Sequence, residues 1–180
     1  MTEQKTREFW DQKYKEKKSY YQLKNELEVV LREVPIGSSI LDVGCGRGEL
    51  VEQFWKSGKN YRTHGIDLSQ IAIKDSKDDI KPFLKTCDLE TDRIGFYDTI
   101  ISKFAVKFFS KKALLKIKNS CKQFIFITPL LVENIDIPEH DKTMSLSKEE
   151  LKEVLNSFKY RKKLFEVSVA GLRNVCYKVW

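Results

Sequence analysis

The chain has 180 residues, which is long enough for one folded domain and too short for two of ordinary size. Its 41% hydrophobic and 12% aromatic residues exclude an intrinsically disordered chain, although 33% of the residues are charged. The net charge of +7 is concentrated in residues 111–180, which contain 14 basic and 8 acidic side chains. Such a surplus fits a solvated surface, or a docking face for RNA or an acidic protein.

The N-terminus and the cysteines indicate a cytoplasmic protein. The first ten residues, MTEQKTREFW, are charged, which predicts no signal peptide, and the longest apolar run is too short to span a bilayer. The four cysteines stand far apart, at Cys45, Cys87, Cys121 and Cys176. With only two histidines in the chain, this spacing excludes a zinc site and favours free buried thiols. We therefore expect a soluble protein with no metal and no membrane contact.

Two helices are predicted before the first strand. Phe9, Trp10 and Tyr14 lie close to one face of the first helix. The second helix has an apolar stripe with helical spacing, made of Leu23, Leu27, Val30, Leu31 and Val34. The segment Pro35–Ser38 ends this second helix, so residues 1–35 are predicted to form an N-terminal helical cap.

From residue 39 onward, short strands alternate with helical segments, which is typical of a parallel sheet covered on both faces. The predicted strands are Ser39–Val43, Arg62–Ile66, Phe83–Cys87, Thr99–Phe104 and Phe124–Thr128. The predicted helices between them are Glu49–Lys56, Ile71–Lys77 and Lys111–Cys121. In the last of these, helical phase turns Ala113, Leu114 and Ile117 toward the sheet, and Lys111, Lys112, Lys116 and Lys118 toward solvent.

The C-terminal part predicts one more helix and a hairpin. Ser147–Glu150 has the pattern of a capping box, and the helix that follows turns inward Leu151, Val154, Leu155 and Phe158. The strands Leu164–Val169 and Val175–Trp180 are too close in sequence for a crossover helix, so they must pair antiparallel. The predicted fold is a three-layer α/β/α, doubly wound domain over residues 1–180. Its Rossmann-like core, residues 36–180, contains a mostly parallel seven-stranded sheet that ends in this antiparallel hairpin.

The most informative motif is LDVGCGRG, residues 41–48. Glycines at alternate positions follow a buried strand and precede a helix, so the backbone turns sharply and a ligand can approach it closely. Asp67 ends the next strand, 23 residues after Gly44, where a carboxylate can accept hydrogen bonds from both hydroxyls of a ribose. Glu49, at the helix start, disfavours the pyrophosphate of a dinucleotide. Together with Asp42 and Asp88 at neighbouring strand ends, the motif favours a cationic ligand without phosphate, such as S-adenosylmethionine.

This motif, followed by HGIDLS at residues 64–69, resembles that of the class I, seven-stranded Rossmann-like S-adenosylmethionine-dependent methyltransferases. The resemblance covers nearly the whole chain, from Phe9–Tyr14 to the terminal hairpin. It implies S-adenosylmethionine as the cofactor and S-adenosylhomocysteine as the product. By position, the cofactor-binding residues that it implies are Trp10, Tyr14, Asp42, Gly44, Gly46, Asp67, Leu68, Asp88, Leu89 and Ser102.

In that family the glycine loop faces the methionine part of the cofactor, together with the position of Asp42. Asp67 would hold the ribose hydroxyls, while Leu68 would pack on the adenine ring. Asp88 and Leu89 match the position that reads the adenine amino group. Ser102 would line the side of the methyl donor, and the aromatic residues of the first helix would close over the cofactor. For Asp42 and Asp88, a cap or turn without ligand contact is the alternative, and for the aromatic residues it is core packing.

No catalytic residue is assigned, because methyl transfer from a sulfonium is an in-line displacement that depends mainly on alignment. A general base is needed only if the acceptor arrives protonated, and four residues are then candidates: Tyr20, Tyr21, His140 and Asp141. Residues 102–107 lack the Asn/Asp-Pro-Pro-Tyr type of sequence that methylates nucleobase amino groups, and the chain lacks a cysteine placed for methylating cytosine carbon.

We expect a small-molecule acceptor, recognised by the N-terminal helix and the stretch Leu130–Met144. RNA or protein acceptors remain as alternatives, as do an NAD-type oxidoreductase and a non-catalytic binding subunit of the same fold. The sequence leaves the oligomeric state open.

Overall fold

Helices and strands alternate along the chain in a computed structural model that describes residues 6–16, 26–130, 145–169 and 172–180. The strands are Ser39–Val43 (β1), Arg62–Asp67 (β2), Leu84–Thr86 (β3), Tyr97–Lys103 (β4), Cys121–Leu130 (β5), Arg161–Val169 (β6) and Leu172–Val179 (β7). The α-helices are Arg7–Glu16 (α1), Glu26–Glu33 (α2), Glu49–Lys56 (α3), Gln70–Lys74 (α4), Lys111–Asn119 (α5) and Lys148–Asn156 (α6). Two short 3₁₀ helices are Lys81–Phe83 and Val106–Phe108.

All seven strands form one sheet, in the order β3-β2-β1-β4-β5-β7-β6. The pairs from β3 to β5 are parallel, whereas β7 pairs antiparallel with both β5 and β6. One strand of the hairpin therefore runs against the other six. This confirms the predicted mostly parallel seven-stranded sheet with a C-terminal antiparallel hairpin.

Because the strands other than β7 run in the same direction, their C-terminal ends meet at one edge of the sheet, which we call the carboxyl edge. The opposite side, where these strands begin and β7 ends, is the amino edge. Strand β1 lies between β2 and β4, with Asp42 opposite Gly65 on one side and Ile101 on the other. The order reverses at β1, so the carboxyl edge beside β1 is where a doubly wound sheet binds its ligand.

The core lies on both faces of the sheet, as expected for three layers. On one face, helices α5 and α6 pack their buried residues, Ala113, Leu114, Ile117, Leu151, Val154 and Leu155, on the sheet. On the other face, α2 and α3 bury Val30, Leu50 and Phe54 against the other side of the strands, together with Val34, which follows α2. The residues of α5 and α6 that were predicted to face the sheet are thus buried. Phe158, predicted to face inward from the same helix, is also buried, although it follows the end of α6.

Serine caps position three helix starts. The capping box of α6 is present: Ser147 Oγ accepts from Glu150 N at 3.1 Å, while Glu150 Oε2 accepts from Ser147 N at 2.8 Å. Ser110 caps α5 by accepting from Ala113 N, and Ser69 caps α4 in the same way. The cap at Ser69 matters for function, because it fixes the turn directly after β2 at the carboxyl edge.

Several predicted bounds differ from the structure; for example, α5 ends at Asn119 and Cys121 begins β5. Three of the differences have a clear local cause. Phe83 lies in a 3₁₀ turn rather than in β3, because Pro82 fixes the backbone there. Helix α4 ends at Lys74 instead of Lys77, where the hydroxyl of Ser76 donates to the carbonyl of Ile73. Lys116 is half-buried rather than solvent-facing, since its ammonium donates to the carbonyls of Leu89 and Asp92, whereas Lys111, Lys112 and Lys118 are exposed as predicted.

Several predicted residues lie outside the described part of the chain. These are the base candidates Tyr20, Tyr21, His140 and Asp141, the residue Leu23 of the second helix, and residues 131–144 of the predicted acceptor stretch. The four cysteines are free thiols. Among the described residues no group of side chains can hold a metal ion, and no described helix is long and apolar enough to cross a membrane.

Candidate functional site

The glycine loop after β1 turns back on itself at the carboxyl edge. Gly44, Gly46 and Gly48 have φ of 75°, 57° and 83°, in the left-handed region that favours glycine. The amides of Gly44 and Cys45 donate to the carbonyl of Ile66 at 2.8 and 3.0 Å, which ties the loop to β2. Gly48 then caps α3, so the chain passes from strand to helix within five residues, as the motif predicted.

The loop needs glycine because it is covered closely by other parts of the protein. A Cβ at Gly44 would lie 2.4 Å from the Cβ of Ala105, which follows β4. A Cβ at Gly46 would lie 2.7 Å from the hydroxyl oxygen of Tyr14 in α1. The glycines thus let the loop sit directly beneath α1 and beside the end of β4, in addition to any approach by a ligand.

Asp67 joins this loop to the turn after β2. Its Oδ2 accepts from Gly46 N at 2.8 Å, and its Oδ1 accepts from Ser69 N at 2.9 Å. Burial raises the pKa of Asp67, and the hydrogen bonds from Ser69 and Gly46 oppose that rise. Each carboxylate oxygen keeps a second lone pair, so Asp67 can brace the loop and still accept hydrogen bonds from a ligand.

Helix α1 lies over this region and has no fully buried residue. Its first anchor is Asp11, whose Oδ1 accepts from Ser69 Oγ at 2.5 Å and from Ile71 N at 3.1 Å. This carboxylate meets the first turn of α4 and thereby adds to the cap that Ser69 supplies. A ten-residue helix is marginal by itself in water, so such anchors determine whether α1 stays in place.

Two further contacts hold α1 to the carboxyl edge. Arg47, in the glycine loop, donates from Nη2 to the carbonyl of Tyr14 at 2.9 Å, and its guanidinium lies 5.2 Å from the centre of the Tyr14 ring. The ring of Trp10 meets Phe108 edge-on at 4.8 Å between centroids. Helix α1 therefore touches the segments that follow β1, β2 and β4.

The site contains two buried polar atoms that have no hydrogen-bond partner among the described residues: Asp42 Oδ1 and Ser102 Oγ. They belong to neighbouring strands, near the carboxyl ends of β1 and β4. Burial raises the pKa of Asp42 to about 7; the positive charge of Lys103 opposes the rise, and the carboxylates of Asp67 and Glu49 add to it. A buried carboxylate in this state is stabilised by a ligand that brings a positive charge or a donor.

The remaining predicted site residues have different environments. Asp88 Oδ1 accepts from Glu90 N at 2.8 Å, and this hydrogen bond closes a turn. Such a turn is the alternative to ligand binding that the sequence leaves open for Asp88. Leu89 is buried in the core beneath α5, and Leu68 is half-buried beside Asp67. Trp10 and Tyr14 are half-buried at the carboxyl edge, rather than in the core. The structure thus gathers the predicted residues at one edge, with Asp88 held by its own turn.

Sequence reasoning gave no role to three residues that shape the site, and it did not foresee the conformation of a fourth, Phe104, in the segment expected to line the side of the methyl donor. Ser69 carried a findable signal, a serine just before a helical segment. Asp11 carried none, since its partner Ser69 lies 58 residues away. The sequence assigned no role to Arg47 within the LDVGCGRG motif, although its guanidinium donates to the carbonyl of Tyr14 in α1. Phe104 has φ of 65°, a left-handed conformation at the end of β4 that sequence cannot reveal, and its amide donates to Ile127 O at 2.8 Å.

These features form a site with a defined chemical preference. A bent glycine loop, a buried carboxylate without a full set of partners, and a second carboxylate with free lone pairs stand at one edge of a parallel sheet. They suit a ligand that carries hydroxyl donors and a positive charge, as an amino acid joined to a nucleoside does. The residues present therefore fit S-adenosylmethionine, whereas Arg47, the cation in the glycine loop, donates to the Tyr14 carbonyl and to Asp75.

Comparison with known proteins also indicates a methyltransferase fold. The family model described as "Methyltransferase domain" matches residues 40–125. The "Uncharacterized methyltransferase YdaC" of Bacillus subtilis is 38% identical over 71 residues, which span 37% of this chain and 39% of YdaC. The match to this curated relative thus covers about two fifths of its length.

Solved structures align over more of the chain. A TehB-like SAM-dependent methyltransferase from Corynebacterium glutamicum is 19% identical, with a TM-score of 0.65 and 96% of both chains covered. The N-terminal domain of EvdMO1, crystallised in the presence of SAH and D-fucose, is 13% identical, with a TM-score of 0.64 and coverage of 86% of this chain and 81% of that one. At these identities the likeness establishes the fold.

Proposed function

We propose that the chain is a class I S-adenosylmethionine-dependent methyltransferase and that it transfers a methyl group from S-adenosylmethionine to a small-molecule acceptor, as the match to a methyltransferase domain and the shared fold support. The observation that carries the proposal is the buried Asp42, whose Oδ1 has no partner among the described residues beside a bent glycine loop. An ammonium and a sulfonium on the same ligand supply the positive charge that this carboxylate lacks.

Each part of the site has one task in this proposal. Asp67 accepts hydrogen bonds from the ribose hydroxyls with the lone pairs that Gly46 and Ser69 leave free. Gly44 and Gly46 let the methionine part approach the main chain, and Asp42 faces its ammonium. Leu68, Leu89 and Asp88 stand on the adenine side, and Ser102 stands near the methyl donor. These roles follow the family positions and the geometry of the carboxyl edge.

The bound cofactor supplies an electrophilic methyl group on a sulfonium, and its leaving group is a neutral thioether. The protein then has to align the acceptor with that methyl group and keep water away. Helix α1 does the second task, because Tyr14 lies over the glycine loop and Trp10 packs on Phe108, and Asp11 and Arg47 hold the helix there. No obligatory nucleophile is required from the chain.

A small-molecule acceptor is supported by what surrounds the site. The segment after β4, residues 104–109, runs directly into the short 3₁₀ helix Val106–Phe108 and lacks the proline pair of nucleobase-methylating enzymes. EvdMO1, which shares the fold, was crystallised with a sugar together with SAH. Residues of α1 and of the stretch Leu130–Met144 would recognise the acceptor, as the sequence predicts.

The proposal is tested by following the methyl group. Purified protein receives cofactor labelled in its methyl group, together with a small-metabolite pool, total RNA or total protein. We expect label in the small-metabolite fraction with the wild type and with Asp79→Ala, an exposed control, and loss of transfer with Asp67→Ala. Label in RNA or protein would overturn the small-molecule acceptor. Binding of S-adenosylhomocysteine without any transfer would instead favour the non-catalytic alternative.

The cytoplasm is the proposed location of the protein. Its four thiols are free, and three of them, Cys45, Cys87 and Cys176, are buried, as is usual for a protein kept in a reducing compartment. Fluorescence microscopy of a tagged full chain tests this location directly.

A further inference from the structure

A lysine stands beside Asp42 on the sheet. Asp42 in β1 is opposite Ile101 in β4, and Lys103, the last residue of β4, comes two positions after Ile101. Side chains two positions apart in a strand point to the same face, so Lys103 and Asp42 project from the same face of the sheet. Lys103 is also opposite Ile127 of β5, which belongs to the core between that face and helices α2 and α3.

Lys103 and Asp42 do not form an ion pair with each other. The ammonium of Lys103 makes no hydrogen bond or ion pair with the described residues, and its side chain is half-buried. The Oδ1 of Asp42 also lacks a hydrogen-bond partner among these residues. The charge of Lys103 nevertheless reaches Asp42, since it opposes the rise in the pKa of that carboxyl. A buried carboxylate and an unpaired ammonium are thus neighbours that each lack a direct partner.

Two other cations of the carboxyl edge are already engaged by the protein. Arg47, in the glycine loop, donates to the carbonyl of Tyr14 at 2.9 Å. Lys107, in the segment after β4, donates to the carbonyl of Ser145 at 2.5 Å. Lys103 differs from both, since no protein atom among the described residues accepts from its ammonium. Its three donors therefore remain available for a ligand.

The methionine part of S-adenosylmethionine carries a carboxylate as well as an ammonium. Both groups are attached to one carbon atom, so the nitrogen and the carboxyl carbon are about 2.5 Å apart. A ligand whose ammonium faces Asp42 must therefore place its carboxylate close to Asp42 as well. Because a carboxylate that leaves water without a cation or a donor is costly, the site needs a positive charge next to Asp42.

Strand geometry places Lys103 where it can supply this charge. Neighbouring strands are about 4.8 Å apart and each residue advances the strand by about 3.3 Å, so the Cα atoms of Asp42 and Lys103 are about 8 Å apart. We propose that Lys103 binds the carboxylate of the methionine part of the cofactor, while Asp42 binds the ammonium on the same carbon. This inference rests on the proposed function and adds to it the residue that recognises the negative charge of the ligand.

Calorimetric titration of the full chain with two ligands that differ by one group tests this role. The ligands are S-adenosylhomocysteine and S-adenosyl-3-thiopropylamine, which keeps the nucleoside and the ammonium but has no carboxylate. Lys103→Met removes the charge at a similar side-chain length, and Lys103→Arg keeps the charge. The matched control is Lys85→Met, which removes the same charge from an exposed position in β3.

We expect Lys103→Met to bind S-adenosylhomocysteine about tenfold more weakly than the wild type, because a charge-assisted contact is lost. Its affinity for S-adenosyl-3-thiopropylamine should stay within about twofold of the wild type, since that ligand has no group for Lys103 to bind. Lys103→Arg should keep most of the affinity for both ligands, and Lys85→Met should match the wild type. Equal losses for the two ligands in Lys103→Met would refute the proposal, because the carboxylate would then not be what Lys103 recognises.

A measurement without ligand tests the placement of Lys103 beside Asp42. The charge of Lys103 lowers the pKa of Asp42, whereas burial and the carboxylates of Asp67 and Glu49 raise it. Lys103→Met should therefore lower the thermal midpoint more at pH 8, where Asp42 of the wild type is ionised, than at pH 4. In the Asp42→Asn background this difference should disappear. An equal loss at both pH values with Asp42 present would contradict the placement, and the proposal with it.

The titration of the wild type separates this inference from the proposed function. Absence of any binding of S-adenosylhomocysteine to the wild type would overturn the proposed function and the role of Lys103 together. Binding to the wild type that Lys103→Met leaves unchanged would overturn the role of Lys103 alone.

Discussion

One carboxylate, that of Asp67, accepts the amide of Gly46 at 2.8 Å and so holds the glycine loop of β1 against the end of β2. The same carboxylate accepts the amide of Ser69, at the start of α4. Asp67, which the sequence predicts to bind the ribose, thus also fixes the shape of the glycine loop. In its proposed role, Asp67 couples ligand binding to the geometry of the glycine loop.

The first prediction concerns Asp67→Ala. It should weaken the binding of S-adenosylhomocysteine by about 1.5–3 kcal/mol, because it removes charge-assisted acceptors for two hydroxyls. It should also lower the free energy of unfolding, since the amides of Gly46 and Ser69 lose their partner. Titration calorimetry and thermal unfolding measure the two effects. Asp79→Ala, on the exposed surface, should change neither, and unchanged affinity in Asp67→Ala would refute the assigned role.

Alanine substitutions at two glycines allow the cost of a strained backbone to be measured apart from the cost of steric crowding. Gly37 and Gly44 have nearly the same φ, 77° and 75°, but a Cβ at Gly37 meets nothing within 4 Å whereas one at Gly44 meets Ala105 at 2.4 Å. Gly37→Ala should cost about 1–2 kcal/mol of unfolding free energy. Gly44→Ala should cost about 1–3 kcal/mol more and abolish cofactor binding.

The double variant Gly44→Ala/Ala105→Gly controls for the cause of this loss. It removes the atom that the new Cβ meets and should recover the extra cost, leaving a stability close to that of Gly37→Ala. Chemical denaturation of the four proteins gives the comparison. No recovery in the double variant would show that Ala105 is not what makes glycine necessary at position 44.

Asp42→Asn tests the buried carboxylate through pH. The pKa of Asp42 rises from 3.8 to about 7 on folding, so the folded chain holds a proton that the unfolded chain releases. Between these two pKa values the free energy of unfolding of the wild type falls as pH rises, by at most about 1.4 kcal/mol per pH unit. The fall is complete above about pH 7. The asparagine variant lacks this loss. It should match the wild type near pH 4 and exceed it by up to about 4 kcal/mol at pH 8.

Thermal unfolding of both proteins across pH 4–8, without ligand, measures this gap. Asp79→Asn serves as the exposed control and should show no pH-dependent gain. A constant difference between Asp42→Asn and the wild type across the range would contradict a pKa of Asp42 that burial raises.

Asp11 controls the docking of α1. Asp11→Ala removes the acceptor for Ser69 Oγ and Ile71 N, a loss of about 1–3 kcal/mol. We expect faster hydrogen exchange in α1 and an affinity for S-adenosylhomocysteine at least several-fold lower. Asp11→Asn keeps an acceptor oxygen and should be close to the wild type. Glu16→Ala, at the exposed end of the same helix, should also behave as the wild type; an equal loss there would argue against a specific anchor.

The sequence predicted the architecture well because its signals are local. Strand β1 and helix α3 have the predicted bounds, since a buried run and a glycine turn delimit them. The hairpin of β6 and β7 followed from a connection too short for a helix. Such features depend on neighbouring residues, and a single sequence displays them.

The details of the site could not be predicted, because they depend on residues far apart in the chain. The anchor of α1 joins Asp11 to Ser69, and the need for glycine at Gly44 arises from Ala105, which lies beyond the next three strands. The second hydrogen-bonding role of Asp67 was hidden for the same reason. Sequence motifs located the carboxyl edge, and only the packing around it showed what fixes its shape.

The most direct test of the account is calorimetric titration of the wild-type protein with S-adenosylhomocysteine and, separately, with NAD. The account predicts one saturable site for S-adenosylhomocysteine, weakened in both Asp67→Ala and Asp42→Asn, and no heat of binding for NAD. Saturable NAD binding with no response to S-adenosylhomocysteine would contradict the methyltransferase assignment and favour a nucleotide-dependent oxidoreductase.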